Sequence, residues 1–196
     1  QEMKIKYNIG IGNNPIFKEV FSRPATAAKA SITAIESIAA KKANRILNIS
    51  GGTHHGRKSQ AFGFCFLNDC VLAILKAKEL GFKKILYVDI DAHHCDGVQD
   101  IFSNDETVNI ISIHEEKRWP FTGSIEDCKI NNLLNFPVSE YFNEEDMNFL
   151  INDFIVPYSK VLKPDLLIIQ AGADMLRGDP QSRISLSINA YWKAVY

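Results

Sequence analysis

Apolar positions along the chain fall into two alternating rhythms. From Pro24 to Ala43 (PATAAKASITAIESIAAKKA), Ala, Ile and Lys recur at helical spacing, and the short apolar run Ile46 to Ile49 follows. That is a helix opened by proline, then a strand. Leu67 to Leu80 (LNDCVLAILKAKEL) has the spacing of an amphipathic helix, closed by Gly81, and Lys84 to Ile90 (KILYVDI) is a near-continuous apolar strand. The pattern repeats with Thr107 to Ile113 as a strand, Glu144 to Leu162 as a long helix and Asp165 to Ala171 (DLLIIQA) as another buried strand. Ser187 to Tyr196 reads as a helix without a stop signal at its end, and a fragment of a longer protein is expected. Glu115 to Asn135 is polar and irregular and is expected to be a surface loop. Strands alternating with helices predict an α/β domain with a mostly parallel sheet.

Strands this apolar are covered on both faces, and ligands then bind beyond their carboxyl ends. Three strand ends carry polar residues: Ser-Gly-Gly-Thr-His-His-Gly after Ile49, Asp-Ile-Asp-Ala-His-His-Cys-Asp-Gly after Val88, and Ala-Gly-Ala-Asp after Gln170. All five histidines of the chain (His54, His55, His93, His94, His114) fall at or just after predicted strand ends, which scattered core or surface histidines would not do. Alternate residues leaving a strand point the same way, so Asp91 and His93 can converge on one ion. Asp174, after the compact Ala-Gly-Ala, is the natural third ligand. Two carboxylates and one imidazole leave a position open for water, as in catalytic zinc sites.

Composition narrows the classes of partner. With 196 residues and 46% of them hydrophobic, the chain is long enough for one sizeable core and too short for two ordinary domains. Its net charge of -1, from 22 basic and 23 acidic residues without like-charge runs, steers it toward neither nucleic acid nor membrane. No apolar run reaches the roughly 18 residues of a transmembrane helix. Cys65, Cys70, Cys95 and Cys128 form no CxxC pair, so reduced thiols and a cytoplasmic location are expected.

The segments GGTHHGRKSQAFGFCFLND (51 to 69), ILYVDIDAHHCDGVQD (85 to 100) and QAGADMLRGDP (170 to 180) resemble, in content, order and spacing, the signature blocks of the histone deacetylase family, which includes acetoin-utilisation and acetylpolyamine-amidohydrolase relatives. The resemblance runs over essentially the whole chain. It implies the three-layer α/β/α arginase/deacetylase fold, with residues 1 to 196 a catalytic domain truncated at both ends. It also implies one zinc ion held by Asp91, His93 and Asp174, and tandem active-site histidines His54 and His55, oriented by Asp89 and Asp96 respectively, with His55 as the main general base and acid. By the same resemblance Gly63 and Phe64 line the acyl-lysine tunnel. A potassium ion is implied near Asp89, the backbone of Asp91 and His93, Ser112 and Ile113. The implied substrate is an acetylated lysine in a peptide or protein, or a small acetylated amine.

The chain also departs from the family pattern. The family's catalytic tyrosine follows a glycine-rich loop that does not occur before Tyr196, and neither Tyr191 nor Tyr196 takes that role. Asn13 stands where an aspartate commonly grips the substrate backbone, and the segment His114 to Gly123 (HEEKRWPFTG) is short and carries Arg118 and Trp119. An acetylpolyamine or other small-molecule amidohydrolase therefore stays open, as does a non-catalytic acyl-lysine-binding fragment. A binuclear ureohydrolase of the same fold would need metal-binding aspartates where Cys95 and Leu176 stand, and Cys95 is read as a bystander.

Overall fold

A computed structural model describes residues 2–128 and 132–196. It divides into two compact units, one of residues up to Lys83 together with Asp96–Phe102, the other of Lys84–Cys95 together with Ser103–Tyr196.

In the first unit, α1 (Glu2–Tyr7) precedes two longer helices, α2 (Ser22–Ala39) and α3 (Asp69–Glu79), which pack together; α4 (Asp96–Phe102) completes it. α3 begins where Asn68 Oδ1 accepts the Val71 N–H at 3.0 Å, with Asp69 in the first turn facing the positive end of the helix dipole. It ends one residue before Gly81, whose φ of +95° is the left-handed conformation that the sequence predicted for a helix stop.

The second unit is a parallel four-stranded sheet in the order β3-β2-β1-β4, built from β1 (Ile85–Asp89), β2 (Val108–Glu115), β3 (Leu133–Val138) and β4 (Leu166–Gln170). β1 and β2 are buried along their whole length; β1 is apolar up to Asp89, whereas β2 carries Asn109, Ser112, His114 and Glu115 among its apolar residues. Leu86, Val88, Ile111 and Ile113 share a core with Met147, Ile155, Met175, Leu186 and Tyr191. The long helix predicted from Glu144 to Leu162 is continuous but changes pitch: α5 (Glu144–Phe149), a π-helical stretch Leu150–Ile155, then α6 (Val156–Leu162). Pro157 offers no N–H to the ladder, and the wider turn lies where the helix must absorb that loss. After β4 comes a 3₁₀ turn, Ala173–Met175, and the chain ends in α7 (Ile188–Val195), capped by Ser187.

Two expectations are corrected. Ile46 to Ile49 is not a strand: no strand pairs with it among the described residues, and Ile46, Leu47 and Ile49 are 42%, 77% and 88% exposed. Asn48 bonds instead to the Ala27 carbonyl and to Ser31 of α2. A short apolar run carries strand propensity, but a strand exists only where an edge is available to pair with it. The stretch from Glu115 to Asn135 is not wholly a loop, because Glu115 ends β2 and Leu133 to Asn135 begin β3. β3 lies at the sheet edge, the place where Pro137 is tolerated in a strand. Helices α1 and α4 were not foreseen.

Truncating Ile111, 1% exposed in this core, to alanine should cost about 2–5 kcal/mol in urea unfolding. Ile49→Ala, at an exposed position, should stay within about 0.5 kcal/mol of the parent. A comparable loss at both positions would show that Ile49 is packed as a strand residue after all.

Candidate active site

The ends of β1 and β4 lie side by side, with Asp89 in register opposite Gln170, so whatever follows each strand emerges at one place. Beyond β1 the chain makes two consecutive side-chain turns: Asp89 Oδ1 accepts the Asp91 N–H at 3.1 Å, and Asp91 Oδ1 accepts the His93 N–H at 2.8 Å. Asp174 comes from the 3₁₀ turn after β4 and accepts the Ala92 N–H on Oδ1 at 2.8 Å. Nδ1 of His93 then lies 3.0 Å from Asp91 Oδ1 and 2.8 Å from Asp174 Oδ2, and the ligand atoms of all three side chains fall within 4.8 Å of one another. This is the triad expected from the sequence.

The triad is held from behind. Gln170 donates from Nε2 to Asp91 Oδ2 at 3.0 Å and accepts the Gly172 N–H at 2.9 Å. A Cβ at Gly172 would collide with the Asp91 carboxylate, so glycine is required there for space. The electrostatics favour a cation at the centre. Burial pulls the His93 pKa down, but hydrogen bonds to Asp174 and Asp91 and their charges outweigh it and push it up to about 9. Burial, reinforced by the charge of Asp91, raises the pKa of Asp174 against the bonds from His93 and Ala92. Two carboxylates that stabilise a proton on one imidazole nitrogen are equally suited to a divalent ion in its place, and carboxylate oxygen with imidazole nitrogen is a donor set that zinc takes.

Asp89 is fully buried, accepts the Tyr87 hydroxyl at 2.5 Å and sits in register opposite Ser112 of β2. Of the residues expected to hold potassium (Asp89, Asp91, His93, Ser112, Ile113), the first three lie at and just beyond the end of β1, and Ser112 and Ile113 lie within the neighbouring β2. Ser112 is also 2.9 Å from Nδ1 of His114. Tyr191 donates its hydroxyl to the Ala171 carbonyl; burial and the charges of Asp91, Asp174 and Asp89 raise its pKa. Cys95 is buried.

The first unit carries the tandem histidines, both buried. His55 Nδ1 is 2.6 Å from Asp96 Oδ1, which leaves its Nε2 with the lone pair, and that nitrogen is 3.1 Å from Nε2 of His54. Asp96 is engaged on both oxygens, since the Gly97 N–H also reaches Oδ1 at 2.9 Å and Arg57 reaches Oδ2. The same guanidinium pairs with Asp100 and lies 4.7 Å over the Phe62 ring. A Cβ at Gly97 would lie 2.5 Å from the His54 carbonyl oxygen, so this helix start can approach the histidine turn only as glycine. Of the orienting carboxylates expected, Asp96 is in this unit with His55, whereas Asp89 belongs to the second unit.

Gly63 and Phe64 form a turn with φ of +54° and +63°, and Phe64 is 69% exposed, which excludes a core role for its ring. Asn13 is half-buried at the tip of the turn bridged by Ile11 and Asn14.

Sequence reasoning missed the polar residues that hold these pieces. Asn14, fully buried, accepts the Phe64 N–H at 3.0 Å and donates to the Ala61 carbonyl. Asn68 caps α3 with its oxygen while its nitrogen bonds the carbonyls of His54 (2.9 Å) and Gly56 (3.0 Å). Asp69 Oδ1 gathers the N–H groups of Gly52 and Thr53 together with the Thr53 hydroxyl. The one available signal was polar type at a helix start, where Asn and Asp ordinarily cap and nothing more.

A family model described as "Histone deacetylase domain" matches residues 1–196. The chain belongs to the histone deacetylase family. Within it, histone deacetylase 6 of Arabidopsis thaliana is 34% identical over 95% of this chain and 40% of its own length; histone deacetylase 8 of Xenopus tropicalis is 33% identical over 93% and 51%. A crystal structure of a histone deacetylase homolog from Aquifex aeolicus superposes with a TM-score of 0.93 at 34% identity, covering 100% of this chain and 54% of that one. A homolog structure complexed with SAHA gives a TM-score of 0.92. The fold is therefore a partial arginase/deacetylase α/β domain, and the chain spans about half the length of these deacetylase relatives or less.

Two measurements check the geometry. The folded pKa of His93, about 9, lies above its ordinary 6.5, so protonation stabilises the metal-free chain fully below pH 6.5, and that contribution is lost as pH rises through about 9. Thermal unfolding in chelator should show Tm falling between those values, and His93→Gln should flatten the fall. Asn68→Ala should cost about 2 kcal/mol in urea unfolding, and Asn68→Asp should cost no less. Aspartate keeps the cap but turns an oxygen toward the His54 and Gly56 carbonyls, so near-parental stability of Asn68→Asp would show those two bonds to be idle.

Proposed function

We propose that this chain is the metal-binding and acid/base core of a zinc-dependent deacetylase that hydrolyses the acetyl amide of acetylated lysine or a related acetylated amine. One observation carries the reading: two carboxylates from neighbouring strand ends meet on a single imidazole nitrogen in a member of the histone deacetylase family. Asp91, His93 and Asp174 would hold one zinc ion, since the positions that would serve a second are Cys95 and Leu176. When bound, zinc supplies a Lewis acid that polarises the acetyl carbonyl and acidifies water.

His55 is the general base. Its Nδ1–H is committed to Asp96, so Nε2 takes the proton of the attacking water and later returns one to the leaving amine, releasing acetate and a free amine. Arg57 and the Gly97 N–H keep the Asp96 carboxylate from turning away. His54, against the lone-pair nitrogen of His55, is the electrostatic partner. Gly63 and the exposed ring of Phe64 flank the methylene stem of the substrate, with Asn13 as a further substrate contact. A potassium ion at Asp89, Ser112, Ile113 and the backbone of Asp91 and His93 would offset the charge buried behind the zinc ligands. Four cysteines in thiol form suit a reducing compartment such as the cytoplasm.

After dialysis against zinc and desalting, the chain should retain one ion, and Asp174→Ala should retain none. His55→Ala should keep the metal. In a version extended through the family's glycine-rich tyrosine loop, the same substitution should lower turnover of an acetyl-lysine peptide by about 10²-fold or more. Two ions per chain, or full metal retention in Asp174→Ala, would overturn the metal assignment; undiminished turnover in His55→Ala would overturn the base. Running an acetylated polyamine beside the peptide separates the two substrate classes.

A further inference from the structure

Beside the metal ligands, one loop is held in place by a part-buried ion pair. Glu115, the last residue of β2, is 6% exposed, and its carboxylate accepts Nε of Arg118 at 2.6 Å and Nη2 at 2.9 Å, a two-pronged pair, together with the backbone N–H of Arg183 at 2.9 Å. Burial by itself would raise the carboxyl pKa, but Arg118 and Arg183 outweigh it and hold it below the ordinary value. The loop is strained. Lys117 and Phe121 have φ of +58° and +62°, the left-handed region that non-glycine residues occupy only where the surroundings over-determine them. These two residues bracket Arg118, whose carbonyl accepts the Phe121 N–H at 2.8 Å to close the turn. Inside it, the half-buried Trp119 meets the His93 ring edge to face, with centroids 6.2 Å apart and planes at 65°.

We propose that Glu115 is a positioning residue: gripping Arg118, it fixes the strained turn that holds the Trp119 indole against His93, giving one side of the metal position a fixed aromatic wall. This rests on the reading of His93 as a metal ligand. The Glu115 carboxylate spends its bonds on Arg118 and Arg183, while its backbone N–H bonds the Ala92 carbonyl, between Asp91 and His93, at 2.9 Å. Without the grip, two left-handed residues and a solvent-facing segment would have little reason to hold one conformation, and the indole would leave the imidazole.

Trp119 and Trp192 are the chain's two tryptophans, so Trp192→Phe makes Trp119 the sole tryptophan reporter. In that background, Glu115→Gln and Arg118→Met should each raise the acrylamide quenching of Trp119 several-fold, and Arg118→Lys should restore most of the shielding. Co²⁺ added to the chain should quench Trp119 strongly in the background protein and several-fold less in Glu115→Gln at the same metal stoichiometry. Acrylamide and Co²⁺ quenching unchanged in both variants would overturn the proposal. A background protein that binds no Co²⁺ would sink the metal reading instead, while the acrylamide comparison still decides the grip. If circular dichroism shows Glu115→Gln unfolded, Arg118→Met, which leaves Glu115 its bond from Arg183, carries the test alone.

Discussion

Two buried carboxylates, Asp89 and Asp91, and a partly buried third, Asp174, at the carboxyl edge of a parallel sheet are the constraint to which the second unit answers. Asp89, Asp91 and Asp174 have little solvent to screen them, and burying ionised groups near one another is expensive unless positive charge or hydrogen-bond donors meet them. The structure supplies both. The His93 imidazole, whose pKa is pushed up to about 9, sits between two of the carboxylates, and the N–H groups of Asp91, Ala92 and His93, the amide of Gln170 and the hydroxyl of Tyr87 cover their remaining oxygens. The parallel register makes this possible, because β1 and β4 end together at Asp89 and Gln170 and the turn after β1 presents the N–H groups of Asp91, Ala92 and His93 to the carboxylates.

In the first unit the same logic applies to neutral groups. The turn carrying His54 and His55 has no regular secondary structure, so its backbone polar atoms must find partners elsewhere. Asn68 takes two of its carbonyls, Asp69 takes the N–H groups that precede it, and Gly97 lets the start of α4 close on it. A helix cap and a histidine turn thus share one side chain. The imidazole of His55 is oriented by Asp96 and, behind that, by Arg57, so its direction depends on a chain of contacts rather than on packing alone.

What could be read from the sequence follows from how local each signal is. β1, β2 and β4 announced themselves through their apolar runs, although β4 is only partly buried with Leu167 50% exposed; Asp91 and His93 did so because alternation beyond a strand end fixes direction, and Asp174 followed as the candidate third ligand after the next strand. Ile46 to Ile49 misled because pairing is a property of two segments, and only one was in view. β3 was hidden by polar neighbours and by Pro137, whose acceptability depends on its place at an edge. Asn14, Asn68 and Asp69 were hidden more thoroughly, since their partners lie 12 to 50 residues away and no spacing rule points to them. The Asp96 pairing came from family resemblance and then from geometry, not from composition.

The chain's departures from its family fall in particular places. Asp91, His93, Asp174 and their supports sit on strand ends and short turns, where a change of one atom, such as a Cβ at Gly172, meets a carboxylate directly. Asn13, Arg118 and Trp119 lie instead on loops held by a few side-chain bonds, and loops tolerate substitution because little packs on them. The strand ends hold the charged triad, whereas the loop from Glu115 to Phe121 carries the indole that meets its imidazole. In this chain that loop sets an aromatic side chain beside the His93 imidazole, and the ion pair that closes it, Glu115 with Arg118, involves none of the three side chains that converge there.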